Sequence, residues 1–373
     1  MKNLVRLSKS VIGEKEIAAV TQILQKEFLG MGPEVQAFEN DLAVFIGDNR
    51  QVVCVNTGTA ALHLAVQACG IGPGDEVIIP SLTYLASYQA ISATGATPVS
   101  CDVLLETGTI DPEDAAKRIT PRTRAIMPVH YASGWGRLEQ VYDLAQKHGL
   151  RVIEDAAHAF GGIYKGRRVG ASGDIVCFSF DGIKNITSGE GGAVVTADPQ
   201  IAEYVRDARL LGVQKDTEKR YARERSWEFD VTIQGWRFHM SDIMAAIGRV
   251  QLKRLEEFTT IRVRLAKNYA RLLKEIPNIR LLNIEYGPVI PHIFPIFIGQ
   301  DKRDKVRQAL IDNNIQCGIH YKPNHLLSRY NLGYSLPVTE KLYQETLTLP
   351  LHPDVTEEQQ EKICDIIRQC GDR

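Results

Sequence analysis

The chain has 373 residues, enough for about two to three domains and for a buried core with a cleft beside it. Apolar residues make up 44% and charged residues 24%, which excludes a disordered, collagen-like or coiled-coil chain. Lys and Arg number 44 against 45 Asp and Glu, a net charge of -1, so nothing points to nucleic acid or an anionic membrane as partner, although a local anion site stays open.

The first residues, MKNLVRLSKSVIGEKEIAAV, lack the apolar run of a signal peptide and the Arg- and Ser-rich pattern of a transit peptide. No run of about 18 uncharged apolar residues exists, so no membrane span is expected. Cys54, Cys69, Cys101, Cys177, Cys317, Cys364 and Cys370 form no CxxC pair. Such a dispersed, odd set suggests free thiols in a reducing cytoplasm.

Short apolar runs then recur: Val52–Val55, Val77–Ile79, Pro98–Cys101, Ala125–Val129, Val152–Ile153, Ile175–Phe180 and Ala193–Val195. Helical patterns lie between several of them. Leu62, Ala65, Val66 and Cys69 form one stripe over Thr59–Cys69, and Leu138–His148 reads the same way. Strands apolar on both faces and alternating with helices predict a mainly parallel sheet covered on both sides. From Met240 to about Lys274 the chain is helix-forming. A smaller α+β part follows, with Val289–Ile298 strand-like, Lys302–Asn313 helical, a His/Pro loop, and a terminal helix after Thr356. The expected division is a large α/β domain over 1–245 and a C-terminal α+β domain over 246–373, with no linker marking the boundary.

The densest chemistry lies between Arg151 and Asp198. RVIEDAAHA puts Asp155 at the carboxyl end of a buried strand, where ligands of open α/β sheets bind. Capping of the next helix is the competing reading. In FSFDGIKNITSGEGG, Lys184 follows a strand and is flanked by Gly182, Gly189, Gly191 and Gly192. A surface lysine is the commoner case, but the glycines suggest close approach of another group. A strand-end Asp and a loop Lys fit pyridoxal phosphate, which needs a lysine for a Schiff base and a carboxylate on its pyridine nitrogen. NTGTAALHLA supplies a phosphate element, since Thr57, Gly58 and Thr59 join a strand to a helix N-terminus. A plain capped helix start is the alternative. Ser179 is a second hydroxyl candidate for the phosphate.

Other chemistries lack their marks. Gly70-Ile71-Gly72-Pro73-Gly74 precedes a strand, the wrong context for a dinucleotide. No G-x-S-x-G elbow is present. In HYKPNH, His320 and His325 flank a proline with no carboxylate beside them, a poor metal site.

The order of GPEVQAFEN, NTGTAALHLA, PGDEVIIPSLTYLAS, GATPVSCDV, MPVHYASG, VIEDAAHAFGG, CFSFDGIKNITSGEGGAVVT, HMSDIMAAIGRVQL, HYKPNHL and LPLHPDVTEEQ resembles the DegT/DnrJ/EryC1/StrS family of pyridoxal-phosphate-dependent nucleotide-sugar aminotransferases. The resemblance implies the fold of fold-type I aminotransferases. It implies Lys184 as Schiff-base lysine and proton carrier, and Asp155 on the pyridine nitrogen. It places His158 at the cofactor 3-oxygen, Thr57, Gly58, Thr59 and Ser179 at the phosphate, and Tyr84 stacked on the ring. Arg237 stands where the family often has an Asn that reaches the partner subunit's phosphate. A charge-assisted phosphate contact and a contact to the sugar nucleotide are both open for it. The loop with Tyr321 and His325 would cover the substrate. The implied reaction moves an amino group from L-glutamate, leaving 2-oxoglutarate, to a keto-deoxy-sugar nucleotide. A dTDP-4-keto-6-deoxyhexose is favoured over a 3-keto sugar, for surface-polysaccharide (O-antigen) or secondary-metabolite sugars. A cytoplasmic homodimer with shared active sites is implied as well. Lys184 argues against a dehydratase relative with His at that position. Together with Asp155 it also argues against a non-catalytic sensor.

Overall fold

The computed structural model describes residues 4–225, 227–299 and 302–371. Five strands come first in the chain: β1 (Gln51–Val55), β2 (Glu76–Pro80), β3 (Thr97–Cys101), β4 (Thr123–Ile126) and β5 (Arg151–Asp155). A hairpin of β6 (Ile163–Tyr164) and β7 (Arg167–Arg168) follows, then β8 (Ile175–Ser179) and β9 (Gly192–Thr196). Seven of them form one sheet in the order β1-β9-β8-β5-β4-β2-β3. Only β9 runs antiparallel, to both β1 and β8. The other neighbours pair in parallel.

Burial follows the period of two. Val53, Val55, Ile175 and Cys177 pack into one apolar cluster, and Val52, Cys54, Val176 and Phe178 into another. A strand with buried side chains on both faces must lie between two helical layers, which explains why the runs read as continuous apolar residues. The expected doubly covered α/β fold is therefore the one adopted.

The predicted helix after β1 spans Gly58–Ala68, with Thr57 as N-cap accepting from the Ala60 amide at 3.0 Å. Leu138–His148 is helical as expected, and Gly149 closes it at φ +64°. The long helical stretch after Met240 is two helices, Asp242–Lys253 and Leu255–Leu273. The break falls at Arg254, whose guanidinium is held by Glu16 at 2.8 Å, while Gln251 bonds the same carboxylate. Packing against the helix Glu14–Gln25 thus interrupts a pattern that looks continuous in sequence.

A second sheet holds β10 (Ile279–Leu281), β11 (Phe294–Ile298) and β12 (Thr346–Leu349), all antiparallel. It shares an apolar cluster with the helices Leu255–Leu273, Arg303–Asp312 and Glu357–Gly371. Val5 packs on that cluster and pairs with Ile315, so the chain's early residues lie against its later ones. The run Val289–Ile298 is a strand only from Phe294. Pro288 and Pro291 remove amide donors and disfavour regular pairing before that point. Residues 289–293 instead form a loop that enters the site. Among the described residues no helix is long and apolar enough to cross a membrane.

Candidate active site

The carboxyl ends of β1, β5 and β8 open on one cavity of about 480 Å³. Nine of the eleven residues singled out from sequence line it: Thr57, Gly58, Thr59, Tyr84, Asp155, His158, Ser179, Lys184 and Tyr321. Residues distant in sequence meet here because parallel strands present the same end to one edge of the sheet.

Asp155 ends β5 and is 6% exposed. Its Oδ1 accepts from the Ala157 amide at 3.2 Å, so it does cap the turn that follows. Its Oδ2 accepts from the Ser87 hydroxyl at 2.7 Å. No helix follows, so the capping reading is corrected to a bond within a turn, and the residue also lines the cavity.

Lys184 sits on the loop after β8. Its amide donates to the Asp181 carbonyl at 3.1 Å, and the Ser188 amide donates to the Phe180 carbonyl at 2.9 Å, which closes the loop. Gly189 turns it back at φ +84°. The side chain keeps part of its surface, on the cavity. Burial pulls the amine down to about 8 from its ordinary 10.5, while Asp155 and Asp181 pull the other way. Burial disfavours the charged form, and the two carboxylates offset it only in part.

Three histidines surround this amine. Burial, with the Lys184 charge second, pushes His158 well below the usual range. His292 is depressed for the same two reasons in the same order. His320 falls to about 4. All three are neutral at pH 7, so none adds a positive charge beside the lysine. His158 Nε2 lies 3.0 Å from the Tyr321 hydroxyl, and Tyr321 stands 5.7 Å from Tyr84, ring to ring. Tyr84 itself is 62% exposed.

The turn Thr57–Thr59 is compressed. A Cβ on Gly58 would stand 2.7 Å from Ser179 Cβ, and one on Gly192 would stand 2.5 Å from the Thr57 carbonyl oxygen. Only glycine lets β9, the turn and Ser179 approach this closely. The result is a helix N-terminus with a hydroxyl beside it, a cradle suited to a phosphate. The buried carboxylate, the amine and this cradle together fit pyridoxal phosphate.

Two expected residues are not in the cavity. His325 is 1% exposed, with Nδ1 2.7 Å from Ser81 Oγ and Nε2 3.2 Å from Glu340 Oε1. Both ring nitrogens are used in holding the 324–326 turn, so the expected substrate contact is corrected to a structural one. Arg237 is exposed and lies outside the lining of its own chain's cavity. Its backbone pairs with Leu210, and its carbonyl accepts from Asn56 at 3.5 Å, beside the turn. Conversely, His292 and Ser87 line the cavity without having been singled out. His292 lay hidden in a run that reads as strand, and nothing in sequence marks a serine on the helix Leu85–Ala93, 68 residues from its partner Asp155.

A lysine amine and a buried carboxylate lining one cavity at the carboxyl ends of a parallel sheet fit an enzyme that works through a pyridoxal cofactor. The chain belongs to the DegT/DnrJ/EryC1/StrS aminotransferase family, whose model matches residues 10–368. It is accordingly a pyridoxal-phosphate-dependent aminotransferase. It is 37% identical to the spore coat polysaccharide biosynthesis protein SpsC of Bacillus subtilis (strain 168), over 97% of this chain and 95% of that protein. The fold is similar to that of the aminotransferase TlmJ from Streptoalloteichus hindustanus, with a TM-score of 0.91, 33% identity and 98% of each chain covered. It is also similar to NtdA from Bacillus subtilis with bound cofactor PMP, with a TM-score of 0.87, 26% identity, and 97% of this chain and 83% of that one covered.

Proposed function

We propose that the protein transfers the amino group of L-glutamate to a keto-deoxy-sugar nucleotide. The favoured substrate is a dTDP-4-keto-6-deoxyhexose, which would yield a 4-amino-4,6-dideoxy sugar. The observation that carries the reading is the meeting of the Lys184 side chain, Asp155 and the Thr57–Thr59 turn in one cavity. The similarity to a protein of spore coat polysaccharide biosynthesis supports a sugar substrate and a surface-polysaccharide pathway.

Pyridoxal phosphate, when bound, supplies the electron sink for the carbon that loses a proton. Asp155, oriented by Ser87, holds a proton on the pyridine nitrogen. Thr57, Gly58, Thr59 and Ser179 bind the phosphate. Tyr84 would stack on the ring, and His158 would contact the 3-oxygen. Lys184 Nζ takes the proton from Cα of glutamate and later returns one to the sugar carbon that receives nitrogen, as general base and then acid. Burial favours the neutral amine, which is the form that acts as base. Tyr321, hydrogen-bonded to His158, borders the space left for the sugar. Arg237, exposed beside the turn, reaches the phosphate or the nucleotide of a partner copy in a cytoplasmic homodimer.

The test is a screen of keto-sugar nucleotides with glutamate, read by mass spectrometry, with product NMR to locate the new nitrogen. The proposal expects a gain of one amine at C4. Amination of small keto acids only would remove the sugar assignment.

A further inference from the structure

The loop before β11 carries a residue to which the reaction scheme above gives no role. His292 is 5% exposed, and its Nε2 lies 3.4 Å from Lys184 Nζ. Among the described residues this is the one hydrogen-bond contact of the lysine amine. His292 Nδ1 has no partner, so Lys184 is likewise the ring's one polar contact. The ring is tilted against His158 at 4.5 Å between centroids.

The imidazole is held from behind by its backbone. The His292 amide donates to Ser133 Oγ at 3.0 Å, and the same hydroxyl donates to the His158 carbonyl at 2.5 Å. One serine thus ties both histidines. Arg262, 3% exposed, donates through Nη1 to the carbonyls of Pro291 and His292 at 3.4 Å each and of Leu351 at 3.2 Å. No carboxylate pairs with this guanidinium among the described residues. A buried cation compensated only by carbonyl dipoles is costly, and here it ties the loop before β11 to the segment after β12. That loop is the one that delivers His292.

We infer that His292 is a positioning residue for the reactive amine: its ring, anchored by Arg262 and Ser133, holds Lys184 Nζ and aims it into the cavity. The inference rests on the reading of Lys184 as the reactive group. When the amine is not bonded to cofactor it needs an orientation, and a flexible four-carbon stem does not supply one. A neutral acceptor does so without adding a charge. The groups facing the amine are Asp155 at the end of β5, Asp181 on its own loop, and His158, His320 and Tyr321 across the cavity, which Glu190 also lines. Arg262 faces His292 from the helix Leu255–Leu273 and adds to its depression. None of these reaches Nζ within hydrogen-bond distance. Loss of the His292 acceptor leaves the ammonium form unsupported and lowers the amine's midpoint.

The experiment uses the full-length, ligand-free protein and its variants His292→Phe and His292→Gln. Trace acetic anhydride labels free amines over a range of pH, and mass spectrometry of the Lys184 peptide gives its midpoint. His292→Phe is expected to move that midpoint down by about one pH unit, and His292→Gln, which keeps an acceptor, to restore it. Equal midpoints in all three proteins overturn the inference, as does an equal shift in both variants. Borohydride trapping of added pyridoxal phosphate separates the two readings. Trapping on a lysine other than Lys184 overturns the underlying reading, whereas trapping on Lys184 with unmoved midpoints overturns only the role of His292.

Discussion

The phosphate turn is held in shape by an absent side chain, and Gly192→Ala restores one carbon to test this. The added Cβ would meet the Thr57 carbonyl oxygen at 2.5 Å, its carbon at 2.7 Å and the Gly58 nitrogen at 2.8 Å. All three are backbone atoms of the turn. Ordinary contact begins near 3.4 Å, so the turn or β9 must yield by about 0.9 Å. There is no slack behind it, because the Cβ position of Gly58 already lies 2.7 Å from Ser179 Cβ. Gly192 has no positive φ, so the effect is steric and not conformational. Overpacking of this kind costs about 1–3 kcal/mol of folding stability. Displacing the turn also removes at least one hydrogen bond to a charged phosphate, worth about 1.5–3 kcal/mol. That corresponds to a loss of about tenfold to a hundredfold in pyridoxal phosphate affinity. The assay is titration of ligand-free protein with the cofactor, followed by absorbance, beside thermal unfolding. Gly30→Ala is the control, since nothing lies within 4 Å of its Cβ position and its φ is not positive. Wild-type affinity in Gly192→Ala would refute the placement of the phosphate.

Three further outcomes follow from the same geometry. Arg209 is fully buried and donates to Glu39 at 2.5 Å, to the Cys54 carbonyl at 2.6 Å and to Tyr221 at 2.9 Å. Arg209→Met strands a buried carboxylate and should cost about 3–5 kcal/mol in urea unfolding, partly recovered by adding Glu39→Gln. His325→Ala should lose about 1–3 kcal/mol of stability through Ser81 and Glu340, while the KM for the sugar nucleotide stays at the wild-type value wherever the variant is folded. For Lys184 the folded midpoint, about 8, lies below the ordinary 10.5, so between these values the unfolded chain binds more protons. Stability of the ligand-free protein should therefore rise from pH 8 toward 10.5 through this group. Lys184→Met should lack that component and be the more stable protein at pH 7, as urea unfolding across pH would report.

Much of this site is legible in sequence because its parts are local. Asp155 and Lys184 each follow a short apolar run, and a run buried on both faces announces a strand whose end faces ligand. Among the glycines near Lys184, Gly191 and Gly192 mark close approach and Gly189 a left-handed turn, and the distances at Gly58 and Gly192 show why no side chain fits there. What sequence does not display is set by contacts between distant segments. His292 depends on Arg262 and Ser133 to leave its run and turn inward. Ser87 acquires meaning only once Asp155 stands 2.7 Å away. His325 shares a motif with Tyr321, yet its turn points the ring at Ser81 and not at the cavity. The break at Arg254 comes from Glu16, far away in the chain.

Lys184 and the cofactor together make this chain an aminotransferase. The most direct measurement is a single-turnover reaction of pyridoxal-phosphate-loaded protein with L-glutamate and no acceptor, counting 2-oxoglutarate formed per chain. One equivalent per loaded chain is expected, with loss of the visible cofactor band, and none from Lys184→Ala on the same time scale. Equal yields from the wild type and Lys184→Ala, or no 2-oxoglutarate from fully loaded wild type, would contradict it.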